Sequence, residues 1–337
     1  RPRLDAISRS FLSAAGAAFQ PDVRHYGGTR IRPHTAAWLK SRNPLAKIAE
    51  AAEKHRLALR INIVCNDMPS LVQRHAHAAC VNWLGDASDR WLCPSNPEVR
   101  EYLGAMVEDL ATNYPARTIE LESFAFSPRR LVNYDASWLP DNEISRSLAT
   151  WCFCAACRQR ARDEEIDVDE LITRIHVRFD APIERPPDQT FADFTGQEPL
   201  AAAYEQLRID AISSLVATVR TRIKSRLILH LSPQARREAV RTTAVDAHCD
   251  GWVSAANAEQ HATGEYDSRS PAAINRREAA FICMPPICKG GPSLVSAVHE
   301  ASQAGYAAVG FSHYGAAPEP CLDWIRQAVR YARRESH

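Results

Sequence analysis

The sequence has almost no excess of charge of either sign. Lysine and arginine together number 41 and aspartate and glutamate 40, which gives a formal net charge of +1. Proteins that bind nucleic acid or anionic membrane surfaces usually carry a clear basic excess. The near-zero balance therefore gives no support for a nucleic-acid or membrane partner.

Long apolar runs are also absent. None approaches the roughly 20 residues that a membrane-spanning helix needs. The first residues show no signal-peptide pattern, so secretion has no support there. Because the sequence starts at Arg1 rather than at methionine, we expect a trimmed or processed amino terminus, and a targeting segment upstream is left open. We expect a cytoplasmic protein.

Glycine-rich phosphate loops and short repeats are missing as well. No such loop follows the first predicted strands, which weakens a dinucleotide-binding Rossmann fold. The absence of a short period argues against a solenoid. Ten cysteines in 337 residues are too few for a disulfide scaffold. Their clustering indicates a metal site instead.

The composition that is present is that of a globular protein, with 45% hydrophobic and 24% charged residues. Apolar patterns predict seven strands that mostly alternate with helices. They lie near residues 17, 61, 121, 229, 252, 282 and 309. This order is typical of a (β/α)8 barrel, which needs eight strands. We therefore predict an α/β protein, a single-domain (β/α)8 TIM barrel over residues 1–337. Its eighth strand precedes Arg1 or is hidden near the N-terminus, and long loops are expected at 65–95 and 127–160.

The segment Ile119–Phe126 alternates two glutamates with two aliphatic residues, which is the period of a strand. Glu120 and Glu122 would share one face and look into the barrel. Buried carboxylates are costly unless they have a partner or a task. One explanation is structural, with both glutamates paired to basic groups such as Arg60. The other makes Glu122, which is nearer the carboxyl end of the strand, a catalytic acid.

Three cysteines form a C-x-C-x-x-C motif at Cys152, Cys154 and Cys157. Thiolates this close reach one ion readily, and soft thiolates select zinc. The best fourth ligand is Cys93, in the loop before the helix that leads into the Glu122 strand. Reserve ligands are Cys65, Cys80, His75 and His77. Three thiols without a metal are the alternative, and four thiolates would leave no open position, so the zinc would be structural.

Three features occur together between Cys93 and Cys157, over less than a quarter of the chain. They are a C-P-x-x-P-x-x-R helix start, a glutamate at the end of the fourth barrel strand, and C-x-C-x-x-C in the loop after it. In this combination the chain resembles the bacterial β-galactosidases of glycoside hydrolase family 42 and related TIM-barrel proteins. The resemblance implies an acid/base role for Glu122 and zinc bound by Cys93, Cys152, Cys154 and Cys157.

The sequence departs from that family in two ways. Leu121 precedes Glu122 where the family has asparagine. No glutamate ends a late strand to act as nucleophile, since the strand near 282 runs into Pro285 and Pro286. The fold and the zinc cluster are therefore better supported than the shared reaction.

Glycoside hydrolysis usually needs two carboxyl groups, one to protonate the leaving oxygen and one to act as nucleophile or base. Glu122 is the predicted acid/base. Asp67, just past the strand near 61, is the predicted second group, because Glu120 lies one pleat deeper. The alternative for Asp67 is a plain turn residue after Asn66.

Further candidates lie near strand ends, where barrel enzymes keep their reactive groups. His230 is predicted to bind a sugar hydroxyl or to tune Glu122, and its alternative is a core histidine. The predicted substrate-binding residues are Asn62, Trp138, Trp252, His313 and Tyr314.

We therefore predict a glycosidase with a structural zinc that acts on a small carbohydrate or glycoside, and a homo-oligomer is left open. One alternative is a carbohydrate-binding barrel that has lost catalysis, which the missing nucleophile favours. The other is a zinc-dependent hydrolase, which requires a metal with an open coordination position.

Overall fold

The computed structural model describes residues 16–127, 143–180, 190–231, 245–256, 277–282, 288–312 and 319–335. The chain forms two compact units, Ser13–Arg226 and Leu227–His337. The assignment of all 337 residues to one domain stays a prediction. Among the helices of the described ranges, none is long and apolar enough to cross a membrane.

The first unit is built on two parallel strands, β1 (Leu59–Val64) and β4 (Ala116–Glu122). An antiparallel hairpin of β2 (Ala79–Val81) and β3 (Ala87–Leu92) lies between them in the sequence. The helices of this unit are α1 (Pro44–Lys54), α2 (Pro69–Arg74), α3 (Pro97–Asn113), α4 (Glu143–Leu148), α5 (Ala155–Asp163), α6 (Val168–Asp180), α7 (Phe191–Gln197) and α8 (Pro199–Thr221).

The second unit begins with β5 and contains four parallel strands that pair in chain order. These strands are β5 (Arg226–Leu231), β6 (Gly251–Ala256), β7 (Arg277–Ile282) and β8 (Ala308–Ser312). Helix α9 (Gly291–Gln303) connects β7 to β8, and α10 (Glu319–Glu335) follows β8. Leu294, Val298 and Ala328 from the two helices share a core with Phe281 of β7.

Parallel strands with intervening helices make the described residues a partial (β/α)8 barrel, as the alternation predicted. Six of the seven predicted strands are confirmed. The strand expected near residue 17 is reduced to a single parallel bridge between Ala17 and Thr35. Pro21, which has no backbone donor, follows too closely for a longer ladder.

Two predicted boundaries need correction. The segment 65–95 is not a plain loop, since it contains α2 and the β2–β3 hairpin. The strand predicted over Ile119–Phe126 begins earlier and ends at Glu122. The next residue, Ser123, has a φ of +56°, which is outside the range of an extended strand. In the segment 127–160, α4 and the first part of α5 are described.

Asn96 caps the start of α3. Asn96 Oδ1 accepts hydrogen bonds from the backbone N–H groups of Glu98 and Val99, at 2.9 and 3.3 Å, and Pro97 occupies the first turn. Asparagine and proline at these positions stop the preceding chain from extending the helix backwards. The start of helix α3 is therefore fixed by the Asn96 hydrogen bonds and by Pro97, and β4 follows this helix in the chain.

Asp109 ties the amino-terminal segment to α3. Its buried carboxylate accepts hydrogen bonds from the Tyr26 hydroxyl and the Asp22 backbone N–H, both at 3.0 Å, and from Asn113 at 2.8 Å. Burial and the charge of Asp109 raise the pKa of Tyr26, so its hydroxyl remains a donor. The helix that leads into β4 is thus held by a satisfied buried carboxylate.

Replacing Asp109 by alanine should lower the free energy of unfolding by about 2–4 kcal/mol, because two buried donors lose their acceptor. Urea unfolding followed by circular dichroism measures this change. Asp109→Asn keeps one acceptor oxygen and is the matched control, for which we expect a clearly smaller loss. Equal losses in the two variants would contradict the proposed role of the hydrogen bonds.

Candidate functional site

Glu120 and Glu122 lie on the same face of the β1–β4 pair. The parallel register sets Asn62 beside Glu120 and Val64 beside Glu122, and residues paired in this way point to the same side of a sheet. The aliphatic residues between the glutamates are buried on the opposite face. The alternation therefore predicted the two faces of β4 correctly. Asn62 is exposed on the acidic face.

Glu120 is a structural residue. It is 6% exposed, and Arg60 Nε donates a hydrogen bond to its Oε2 at 2.5 Å. A buried carboxylate with a guanidinium partner meets the requirement for burying a charge. The structural explanation, with Arg60 as the basic partner, is thus confirmed for Glu120.

Glu122 has a different environment. Its side chain is half-buried, and within the described part of the chain its carboxylate neither accepts a hydrogen bond nor forms an ion pair. The next residue, Ser123, has a positive φ of +56°, which is uncommon for a residue other than glycine. Such outliers occur often at functional sites. Glu122 is therefore a carboxyl group that no described ion pair neutralises.

Asp67 lies just after β1 and is held by an arginine. Arg90 donates two parallel hydrogen bonds to it, from Nε to Oδ1 at 2.7 Å and from Nη2 to Oδ2 at 2.8 Å. Hydrogen bonding to Asp67 raises the pKa of Arg90. This fork geometry fixes the orientation of the carboxylate. The segment also forms an isolated antiparallel bridge between Asp67 and Trp91.

Asn66 joins the ends of β1 and β4, a role that the sequence did not reveal. Its Nδ2 donates to the carbonyl oxygens of Phe124 and Ala125, at 2.7 and 3.2 Å, and its backbone N–H donates to Ser123 O at 3.0 Å. The side chain is fully buried, and Oδ1 has no hydrogen-bond partner. The only available signal was an asparagine directly after a strand, which also fits a turn.

The first unit also contains Cys65 beside the candidate acid. Its backbone N–H donates to Glu122 O at 2.8 Å, and its buried thiol contacts Ile63 O at 3.5 Å. Burial and the charge of Glu122 raise the pKa of Cys65. Cys65 is thus a neutral packing residue rather than a metal ligand.

The remaining sugar-site candidates belong to the second unit or lie outside the described residues. His230 is half-buried on β5, beside Val253 of β6. Trp252 is 1% exposed, and its indole N–H donates to Asp246 Oδ1 at 2.7 Å. That environment fits a packed core residue rather than a ring that stacks on a sugar. Outside the described residues lie Trp138, His313 and Tyr314.

Four buried cysteines of the first unit can hold a metal ion. The sulfurs of Cys93, Cys152, Cys154 and Cys157 all lie within 4.8 Å of one another. Cys93 Sγ lies 3.5 Å from Cys157 Sγ and 3.8 Å from Cys152 Sγ. A tetrahedral site with metal–sulfur bonds of about 2.3 Å has its sulfurs about 3.8 Å apart. The four donors therefore fit one ion.

The β2–β3 hairpin surrounds this cluster with backbone groups. Val81 N–H donates to Cys152 Sγ at 3.4 Å, and Phe153 N–H donates to Val81 O at 2.6 Å. Cys93 N–H donates to Ala78 O at 2.9 Å. The hairpin thus positions both parts of the cluster, although the sequence pattern had not predicted it.

The thiols are electrostatically coupled. Burial opposes ionisation of Cys152, but hydrogen bonds from the neighbouring thiols lower its pKa. Cys80, one of the reserve ligands, is among those neighbours, and burial raises its own pKa. Of the other reserve ligands, His77 instead contacts Glu98 at 3.2 Å.

Helix α8 packs against the cysteine loop through an aromatic group. The Tyr204 hydroxyl donates to Cys152 O at 2.5 Å, and the ring stacks on Phe153 with centroids 4.9 Å apart. Arg208, also on α8, lies over the ring of Phe126 at 4.6 Å and of Trp151 at 5.5 Å. The loop after β4 and the cysteine loop are thus both held by α8.

The described geometry is similar to that of solved carbohydrate-active enzymes. One is the catalytic domain of a β-amylase from Paenibacillus polymyxa, with a TM-score of 0.52, 11% identity and 84% of each chain covered. Another is a β-galactosidase from the psychrophilic Marinomonas ef1, with a TM-score of 0.54 and 11% identity. The match covers 93% of this chain but only 56% of the β-galactosidase. At such identity the likeness establishes the TIM-barrel fold.

Comparison at the level of sequence gives no assignment. No protein-family model matches this chain. No curated protein matches it significantly either.

Tyr204→Phe should lower the free energy of unfolding by about 1–3 kcal/mol, because Cys152 O loses its donor while the stacked ring is kept. Thermal unfolding measures the change. Tyr102→Phe is the matched control, since this buried hydroxyl donates only to the thioether of Met106 at 3.6 Å. If the two variants lose the same stability, the hydrogen bond to Cys152 does not hold the cysteine loop.

Proposed function

We propose that this protein is a glycoside hydrolase in which Glu122 is the general acid/base. The observation that carries the proposal is the half-buried carboxyl group of Glu122 at the carboxyl end of β4, with no described partner. Barrel enzymes keep their reactive groups at this end of the strands. The solved neighbours, a β-amylase and a β-galactosidase, are glycoside hydrolases and support this class of reaction.

In the proposed reaction, protonated Glu122 donates its proton to the glycosidic oxygen as the bond to the anomeric carbon breaks. Asp67 carboxylate attacks that carbon and forms a glycosyl ester, which is the retaining course. Glu122 then takes a proton from water, and the water oxygen displaces Asp67. Arg90 would hold the Asp67 carboxylate in one orientation in both steps.

The substrate in this proposal is a small carbohydrate or glycoside. Asn62, exposed on the acidic face beside Glu120, offers an amide to sugar hydroxyls. His230 keeps its proposed role as a hydroxyl-binding or tuning group. The roles of Trp138, His313 and Tyr314 remain predictions, and the burial of Trp252 speaks against stacking.

We further propose that the four-cysteine cluster holds zinc, because four thiolates at tetrahedral spacing are the donor set that zinc prefers. The ion would cross-link Cys93, in the segment before α3, to the C-x-C-x-x-C motif after β4. Four thiolates leave no open coordination position for water or substrate. This donor set argues against the zinc-dependent hydrolase.

A second candidate function is a carbohydrate-binding barrel without catalysis. It is favoured by one observation, namely that Arg90 occupies both oxygens of Asp67. A carboxylate that is engaged in this way is a weaker nucleophile than a free one. Saturable sugar binding without turnover of any aryl glycoside would support this candidate.

Glu122→Gln should lower kcat on aryl glycosides by about 10²–10⁴-fold, the usual contribution of general acid/base catalysis. Because the carboxylate has no described partner, stability should be unchanged. Glu120→Gln is the matched control on the same face and should instead lose stability, because Arg60 would lack its counter-charge. Wild-type turnover in Glu122→Gln would rule out the acid/base assignment.

Added azide separates the two carboxyl roles in the proposed reaction. It should restore turnover of activated aryl glycosides by Glu122→Gln and give a glycosyl azide of retained configuration. In Asp67→Asn it should give the inverted azide. A retained product from Asp67→Asn would exclude Asp67 as the nucleophile.

Elemental analysis should find one zinc ion per chain, and chelation should lower the melting temperature, since a structural metal stabilises the fold outright. Cys93→Ser should lose the zinc. Cys80→Ser, whose thiol touches the cluster without belonging to the four, should retain it. If Cys93→Ser retained the zinc and Cys80→Ser lost it, the fourth ligand would be Cys80 rather than Cys93.

A further inference from the structure

A cleft of about 400 Å³ opens on the first unit, lined by residues from the start of α3, from α5 and from α8. None of the proposed catalytic residues lines it. Two arginines do, Arg100 from α3 and Arg160 from α5. These two basic side chains therefore lie in a concave site and have no role in the proposed hydrolysis.

Arg160 carries an unusual unsatisfied group. Its Nε is buried and has no hydrogen-bond partner, and no carboxylate among the described residues pairs with its guanidinium. Buried charged groups are ordinarily paired or hydrogen-bonded, because desolvation is costly. Within the described residues, the Arg160 guanidinium therefore has donors without an acceptor.

Arg100 adds a second positive charge to the same cleft. Its guanidinium is fixed by Nη1 donating to Ala211 O at 2.9 Å and Nη2 donating to Ser214 Oγ at 3.0 Å. Both acceptors are neutral, so neither of them supplies a counter-charge. Burial and the nearby charge of Arg160 lower the pKa of Arg100, whereas the charge of Cys93 raises it.

The acidic residues of the cleft do not neutralise these arginines. Glu101 is paired with Arg222, whose Nη2 lies 2.5 Å from Oε2 and whose Nη1 donates to Oε1 at 3.1 Å. Asp163 is exposed and accepts a hydrogen bond from Gln159 Nε2 at 2.8 Å. Among the described residues, neither carboxylate therefore pairs with Arg100 or Arg160.

We propose that this cleft binds a small organic anion through a phosphate or carboxylate group, with Arg160 donating from its planar fork and Arg100 supplying the second charge. Guanidinium forks match both oxyanions in geometry. A volume of about 400 Å³ is within the usual range of small-molecule sites, so there is room for a sugar-sized body attached to the anion.

The test is isothermal titration of the purified full chain with inorganic phosphate, a hexose 6-phosphate and a hexuronate, with the neutral hexose as reference. We expect at least one of the three anions to bind, and Arg160→Gln to weaken that binding by about 10- to 100-fold, the value of a lost charge-assisted hydrogen bond. Arg162→Gln, an exposed arginine on the same helix, should bind like the wild type.

The three anions distinguish the source of the charged group, since phosphate and uronate arms report on phosphate esters and carboxylates separately. If Arg160→Gln does not fold, Arg160→Lys keeps the charge, loses the fork, and should still bind at least about tenfold more weakly. The proposal is overturned if no anion binds more tightly than the neutral hexose, or if the Arg160 and Arg162 variants lose equal affinity. Neither outcome depends on whether the protein hydrolyses glycosides.

Discussion

The four-cysteine cluster is the constraint on which the first unit depends. Cys93 lies just before α3, separated from the cap residue Asn96 by Pro94 and Ser95, whereas the C-x-C-x-x-C motif follows β4 by some thirty residues. Bringing their sulfurs within 4.8 Å joins the chain before α3 to the chain after β4. The strand that carries Glu122 therefore lies, in sequence, between the two parts of one cysteine cluster.

The two glutamates of β4 have different environments. Both lie on one face of β4, yet Glu120 is buried against Arg60, whereas Glu122 lies at the strand end where Ser123 turns the chain. The buried ion pair satisfies the inner carboxylate. Glu122, the outer one, has no partner among the described residues, and Asn66 holds the backbone that follows it.

Local signals in the sequence predicted much of this arrangement. The period-two alternation set the faces of β4, proline and asparagine set the start of α3, and thiol spacing brought out the cluster. The β2–β3 hairpin was not predicted, because its strands are short and mix polar with apolar residues. The sequence did not predict the roles of Asn66 and Arg160. The role of Asn66 depends on a hydrogen bond to a residue distant in the sequence, and that of Arg160 on a buried Nε without a described partner.

The most direct test of the account is X-ray absorption at the zinc K-edge on the purified protein. A cluster built from the four cysteines predicts a first shell of four sulfur atoms at about 2.3 Å, without nitrogen or oxygen. A light-atom ligand would mean an open or differently composed site. Protein that carries no stoichiometric metal would contradict a zinc cross-link between Cys93 and the C-x-C-x-x-C motif.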